Sequence, residues 1–91
     1  MKTYYIYSYK NKKNGKIYVG QTDDPKRRHY QHCTSDTQII DKAIIKYGVD
    51  GFEYKIIEEL KTLEDSNERE TYWIKELKSH ISLGMGYNVQ W

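Results

Sequence analysis

"YYIYSYKNKKNGKIYVG", Tyr4 to Gly20, sets five of the chain's ten tyrosines around a lysine-rich turn. Tyr4 to Tyr9 and Lys16 to Gln21 are rich in aromatic and β-branched residues, and Asn14-Gly15 between them is the strongest short signal for a two-residue hairpin turn. The two runs are expected to pair antiparallel. With Asn14 and Gly15 as the turn residues, Tyr7 would face Thr22 and Tyr9 would face Gly20. Cross-strand partners point to the same side, so Tyr5, Tyr7, Tyr9, Tyr18 and Gly20 share one face. Tyr4, Ile6, Ile17 and Val19 share the other. The aliphatic face is expected on the core, leaving the phenol face free for another partner.

Downstream, Asp24-Pro25 reads as an N-cap followed by proline at the first helical position. It opens a short basic helix through Lys26, Arg27, Arg28, His29 and His32, with Arg28 and His32 four apart on one face. "SDTQIIDKAIIKYG" follows, with Ser35 and Gln38 spaced as a capping box, Ile40, Ala43, Ile44 and Tyr47 as an apolar stripe, and Gly48 as the stop. This helix reads as plain core. Phe52 to Leu60 alternates as a third strand of the same sheet, and a last helix runs from about Thr62 to Lys78. Its acidic start, Glu64 and Asp65, suits the positive end of the helix dipole.

Ninety-one residues make one domain, expected to span 1–91, able to bury only about 60 to 65% of the unfolded chain's surface. With no long apolar run and no leader-like start, neither a membrane span nor a secretory signal is expected, and the protein reads as soluble and intracellular. Cys33 is the single cysteine, which excludes an internal disulfide and a cysteine-based zinc site. His29, His32 and Cys33 crowd about one turn of helix, a poor geometry for zinc. Residues 1 to 33 hold eight Lys and Arg against two acids, a net +6, while the remainder holds seven against eleven, a net −4. A basic first third points to a polyanion and excludes a uniformly basic, histone-like protein.

The last helix singles out one acid. At 100° per residue with Glu70 at zero, Leu63, Trp73, Ile74 and Leu77 fall at about +20°, −60°, +40° and −20°. Glu70 thus lies within the apolar stripe, whereas Glu68 and Glu76 point away. A carboxylate on a core-facing stripe must be hydrogen-bonded, ion-paired or metal-bound, because burying it bare costs several kcal/mol. A structural pair with Arg28 satisfies that demand. So does Mg²⁺, provided water and a substrate phosphate complete its shell.

Taken together, "YIY" at Tyr5 to Tyr7 and "YVG" at Tyr18 to Gly20 resemble the paired motif of the GIY-YIG nucleases. The resemblance continues through Arg28, His32, "KYG" at Lys46 to Gly48, "ERETYWIKEL" at Glu68 to Leu77 and "GYN" at Gly86 to Asn88. It is nearest to the nuclease domains of phage and intron homing endonucleases. The resemblance implies a small α/β (α+β) domain, with a central, mainly antiparallel three-stranded sheet flanked by helices, that hydrolyses DNA phosphodiesters. It implies Glu70 as the ligand of one Mg²⁺ or Mn²⁺, Arg28 as the phosphate-binding arginine, Tyr7 and Tyr18 as the motif tyrosines, and Asn88 as a residue that helps hold the site. Tyr5 stands where the motif's first glycine would be. Tyr5, Lys16, Gly20 and Asn88 are the expected substrate-contacting positions.

The resemblance offers Tyr7 as the base for an attacking water, with Tyr18 positioning water or phosphate. A free phenol has a pKa of about 10, so this requires cations nearby to lower it. His32, with a better intrinsic pKa, is the alternative base. A reading from another class is a non-catalytic module that stacks unpaired bases on Tyr5, Tyr7 and Tyr18; an aromatic face for a protein partner is a third. No base-reading module follows, and the chain ends three residues after Asn88, so a separate or deleted DNA-binding domain is an expected partner. One active site cuts one strand at a time, so a double-strand break would call for a dimer on DNA.

Overall fold

Asn11 folds the hairpin. Its Oδ1 accepts the backbone N–H of Lys13 at 2.8 Å and of Asn14 at 3.4 Å, while its own N–H donates to the Lys16 carbonyl at 2.8 Å. Asn14 Oδ1 accepts from the Lys16 N–H at 2.9 Å, and Gly15 takes the left-handed φ of 76° that closes the turn. In this computed structural model, which describes residues 2–84 and 86–89, the loop therefore has four residues, Lys12 to Gly15. Met1, Met85, Gln90 and Trp91 lie outside the described residues.

The longer loop corrects the expected pairing. Strands β1 (Tyr4–Asn11) and β2 (Ile17–Thr22) pair antiparallel with Tyr7 opposite Gly20 and Tyr9 opposite Tyr18. The shift from the two-residue turn is even, so the division into faces survives. Strand β3 (Phe52–Leu60) joins the other edge of β1, giving the order β2-β1-β3 with both pairings antiparallel. Ile6 faces Glu58 but Tyr7 faces Ile56, which leaves Ile57 in a bulge. The bulge flips the alternation: Phe52, Tyr54 and Ile56 take the side of Tyr7 and Tyr9, while Leu60 stays with Ile6.

Both faces of the sheet are covered, which corrects the expectation of a free phenol face. Tyr7 (1% exposed) and Tyr9 (0%) form the larger core, with Phe52, Tyr87 and the stripe Ile40, Ala43 and Ile44 of α2 (Ile39–Tyr47). Helix α1 (Pro25–Thr34), capped by Asp24 with Pro25 at its first turn, closes the same side through His29 and His32. On the opposite face, Ile6 and Val19 pack on Ile74, Trp73 and Leu77, with Ile74 and Trp73 supplied by α3 (Leu63–Glu76). Thr62 caps α3 by accepting the Asp65 N–H at 3.1 Å. Leu63 is 53% exposed and does not belong to the stripe; Ser66, fully buried, takes that place. The α2 capping box is formed by Gln38 and Asp41, not Ser35 and Gln38: the Gln38 N–H donates to Asp41 Oδ2 at 3.2 Å. Among the described residues, no helix is long and apolar enough to cross a membrane.

Candidate active site

Four segments converge where the β2 edge and α3 meet the α2 start and the C-terminal stretch. A cleft of about 410 Å³ is lined there by Tyr18, Gln38, Ile39, Glu70, Tyr87 and Asn88, among others. Glu70 reaches it from α3. Its carboxylate is half-buried, interacts with the Gln21 backbone N–H, and makes no ion pair among the described residues. Burial raises its pKa above the ordinary carboxylate value, the Gln21 contact opposing. The expected structural pair with Arg28 is therefore not formed, and the carboxylate is left to face the cleft.

Asn88 is held as a peptide mimic. Its Oδ1 accepts the Val19 N–H at 2.8 Å and the Ser79 hydroxyl at 2.6 Å, and its Nδ2 donates to the Val19 carbonyl at 2.8 Å. The side chain thereby continues the sheet hydrogen bonding of β2 beyond its edge and ties the C-terminal segment beside Tyr18. Gly86 allows this closeness, because a Cβ there would collide with the Ser79 carbonyl.

Behind the cleft wall lies a buried polar chain. The Tyr7 hydroxyl is 2.8 Å from His32 Nε2, and His32 Nδ1 is 2.6 Å from Asp41 Oδ1. Tyr7 and Tyr18 contact each other with ring centroids 6.2 Å apart. Burial pushes the Tyr7 hydroxyl well above the ordinary phenol range, Tyr18 adds to the rise, and Arg28 opposes it. Tyr18 is raised too, first by burial, with Arg28 working against the rise and Glu70 with it. Burial lowers the His32 pKa, the Asp41 hydrogen bond opposing, which favours the neutral imidazole. Arg28 is half-buried and donates to Gln31 Oε1 at 3.1 Å; burial works against its charge, but both phenols interact with the guanidinium and its pKa is raised.

Arg28 thus interacts electrostatically with the phenol pair, Tyr18 and Glu70 line one cleft, and Tyr7 and His32 stand beneath it. Gly20 is buried under the Tyr7 ring, where a Cβ would strike Cζ and Oη, so its motif role is steric and it offers no open contact to a ligand. Lys16 closes the hairpin and does not line the cleft. Tyr5, half-buried opposite Thr22 and Glu59, lies toward the far end of β1 from the hairpin. Asp41 went unnoticed in the sequence because, one residue past Ile40, it reads as an ordinary polar position near a helix start. The only available signal was its spacing of three from Gln38.

The chain matches the GIY-YIG catalytic domain over residues 3–88. The chain belongs to the GIY-YIG catalytic domain family. Intron-associated endonuclease 1 of Enterobacteria phage T4 is 38% identical over 92 residues, which takes in 92% of this chain and 36% of that protein. The chain therefore spans little more than a third of the length of this GIY-YIG relative. The catalytic domain of homing endonuclease I-TevI superposes with a TM-score of 0.76 at 35% identity, covering 93% of this chain and 96% of that one. A mutant form of the I-TevI catalytic domain superposes with a TM-score of 0.75 at 37% identity, over 99% and 95% of the two chains. The expected family and fold are thereby met: three antiparallel strands and three helices among the described residues.

The GIY-YIG family implies a divalent metal. Among the described residues no three His, Cys, Asp or Glu gather, so an all-protein cage is not what this chain offers. One carboxylate facing a cleft fits Mg²⁺, which keeps most of its water and takes one or two protein oxygens beside substrate phosphate.

Proposed function

We propose that this chain is a metal-dependent DNA endonuclease domain acting within the span 1–91. The observation that carries the reading is the placement of Glu70, half-buried and without an ion pair among the described residues, in one cleft with Tyr18 and Asn88, while Arg28 interacts with Tyr18 from α1. Glu70 would hold one Mg²⁺ or Mn²⁺, which when bound supplies Lewis-acid stabilisation of the phosphate and the departing 3′ oxygen. Arg28, a planar fork of donors, neutralises the pentacovalent phosphate. Tyr18, at the cleft surface, orients water or phosphate. Tyr7 takes the water's proton as its own passes to His32, so the two bases weighed from the sequence act in series rather than as rivals. Burial, not a cationic field, sets the Tyr7 pKa. A phenolate is disfavoured there, which makes a concerted transfer through His32 the workable route.

Of the three rings of the base-stacking reading, Tyr7 is buried and Tyr5 and Tyr18 are half-buried, which argues against an open stacking platform. DNA is the proposed substrate and the basic first third its electrostatic anchor, with an intracellular site of action. A separate DNA-binding segment would supply target choice, and pairing of two copies on DNA would give double-strand cuts.

Supercoiled plasmid incubated at low salt with Mg²⁺, Mn²⁺ or EDTA tests the reading. Nicking is expected with metal and is lost in Glu70→Ala and Arg28→Ala, by roughly 100-fold or more. Equal activity in all three preparations, or no metal-dependent cutting by the wild type, overturns it.

A further inference from the structure

Asp41 spends its two oxygens on different tasks. Oδ1 lies 2.6 Å from His32 Nδ1, while Oδ2 accepts from the Gln38 N–H at 3.2 Å and the Thr37 hydroxyl at 3.4 Å. Asp41 is 2% exposed and His32 0%, so water takes little part in this network. A neutral imidazole has one N–H and one lone pair. With the carboxylate able only to accept, the N–H must be on Nδ1, and Nε2 must accept from Tyr7 at 2.8 Å. The Tyr7 proton then points at His32, and its oxygen lone pairs are free for the Arg28 and Tyr18 side.

We infer that Asp41 is a positioning residue of the reaction: it fixes the His32 tautomer, and through it the direction of the Tyr7 hydroxyl. This deepens the nuclease reading and rests on it. In the cleavage step the water oxygen bonds to phosphorus and the bond to the 3′ oxygen breaks. The water's proton goes to Tyr7, the Tyr7 proton to His32 Nε2, and the departing oxygen is protonated from solvent. The imidazolium formed faces the Asp41 carboxylate and later returns its proton through the Tyr7 hydroxyl to water in the cleft.

A carboxylate is needed because an amide cannot accept on both sides. In Asp41→Asn, if Oδ1 serves Gln38 and Thr37, the Nδ2 group faces His32 Nδ1 and forces the N–H onto Nε2. Tyr7 must then accept from His32 instead of donating to it. The test uses the full chain labelled with ¹⁵N-histidine, the His32 signals being assigned by their loss in His32→Asn. Long-range ¹H–¹⁵N spectra of the wild type are expected to show a protonated Nδ1 and a bare Nε2, and those of Asp41→Asn the reverse. Single-turnover plasmid cleavage by Asp41→Asn should fall roughly 100-fold or more, while DNA affinity measured in EDTA stays within about twofold.

A protonated Nε2 in the wild type overturns the inference, and this result needs no folded variant. So does a reversed tautomer with wild-type cleavage, or a cleavage loss matched by lost DNA affinity. A wild type with the expected tautomer that cuts no DNA overturns the nuclease reading, and with it the catalytic role given to Asp41.

Discussion

A methyl group at Gly20 would land on the Tyr7 ring, so Gly20→Ala is expected to displace a fully buried side chain. The cost of such overpacking is about 1–3 kcal/mol, read as a lower urea midpoint at unchanged slope. At Glu70 the sign runs the other way. Burial raises its pKa, so the folded state favours the protonated form, and stability is lost as pH rises through that raised value. Glu70→Gln should therefore melt a few degrees higher than the wild type in EDTA at neutral pH, as it loses metal-dependent cutting. His32 is held below its ordinary pKa by burial. Its contribution is present above the unfolded value of about 6.5 and is lost as pH falls through the lower folded one, by at most about 1.4 kcal/mol per pH unit. Urea midpoints from about pH 7 down to 5 should fall, and fall less steeply in His32→Asn. The groups facing this imidazole are Arg28 and His29 from α1, Tyr7 and Tyr9 from β1, Tyr18 from β2 and Asp41 from α2.

Among the elements, β1 carries the site's logic. As the middle strand it puts Ile6 against α3 and Tyr7 and Tyr9 against α1 and α2, so a single strand builds both cores. The edge of β2 is completed by the Asn88 side chain in place of a further strand. Asn88→Ala would leave the buried Val19 N–H and carbonyl without these partners, at about 1–3 kcal/mol for each. Amide exchange at Val19 should accelerate, and cleavage should fall as the segment beside Tyr18 loosens; protection unchanged at Val19 would contradict the clamp. Much of this was legible in the chain. The Asp24-Pro25 start, the α2 stripe, the β3 span and the inward Glu70 followed from periodicity and capping chemistry, which are local. The hairpin register did not follow, because Asn11 sits outside the apparent Asn14-Gly15 turn and captures Lys13 and Asn14 by its side chain.

For the whole molecule, the basic first third predicts a salt-sensitive grip on DNA. If about five phosphates are neutralised, affinity measured in EDTA should drop roughly 10²- to 10³-fold between about 50 and 200 mM salt. A flat salt response would argue against a backbone-tracking surface. The sequence by itself determined the strand and helix content, the division of the hairpin tyrosines into two faces and the selection of Glu70, which depend on spacing along one element, and the family, which depends on the order of short motifs. Only the tertiary structure decided that the phenol face is core, that Glu70 escapes Arg28, and that Tyr7, His32 and Asp41 form one chain. Those outcomes depend on how α1 and α2 pack across the sheet, and a burial shared by residues 34 positions apart in the chain, Tyr7 and Asp41, leaves no periodic trace.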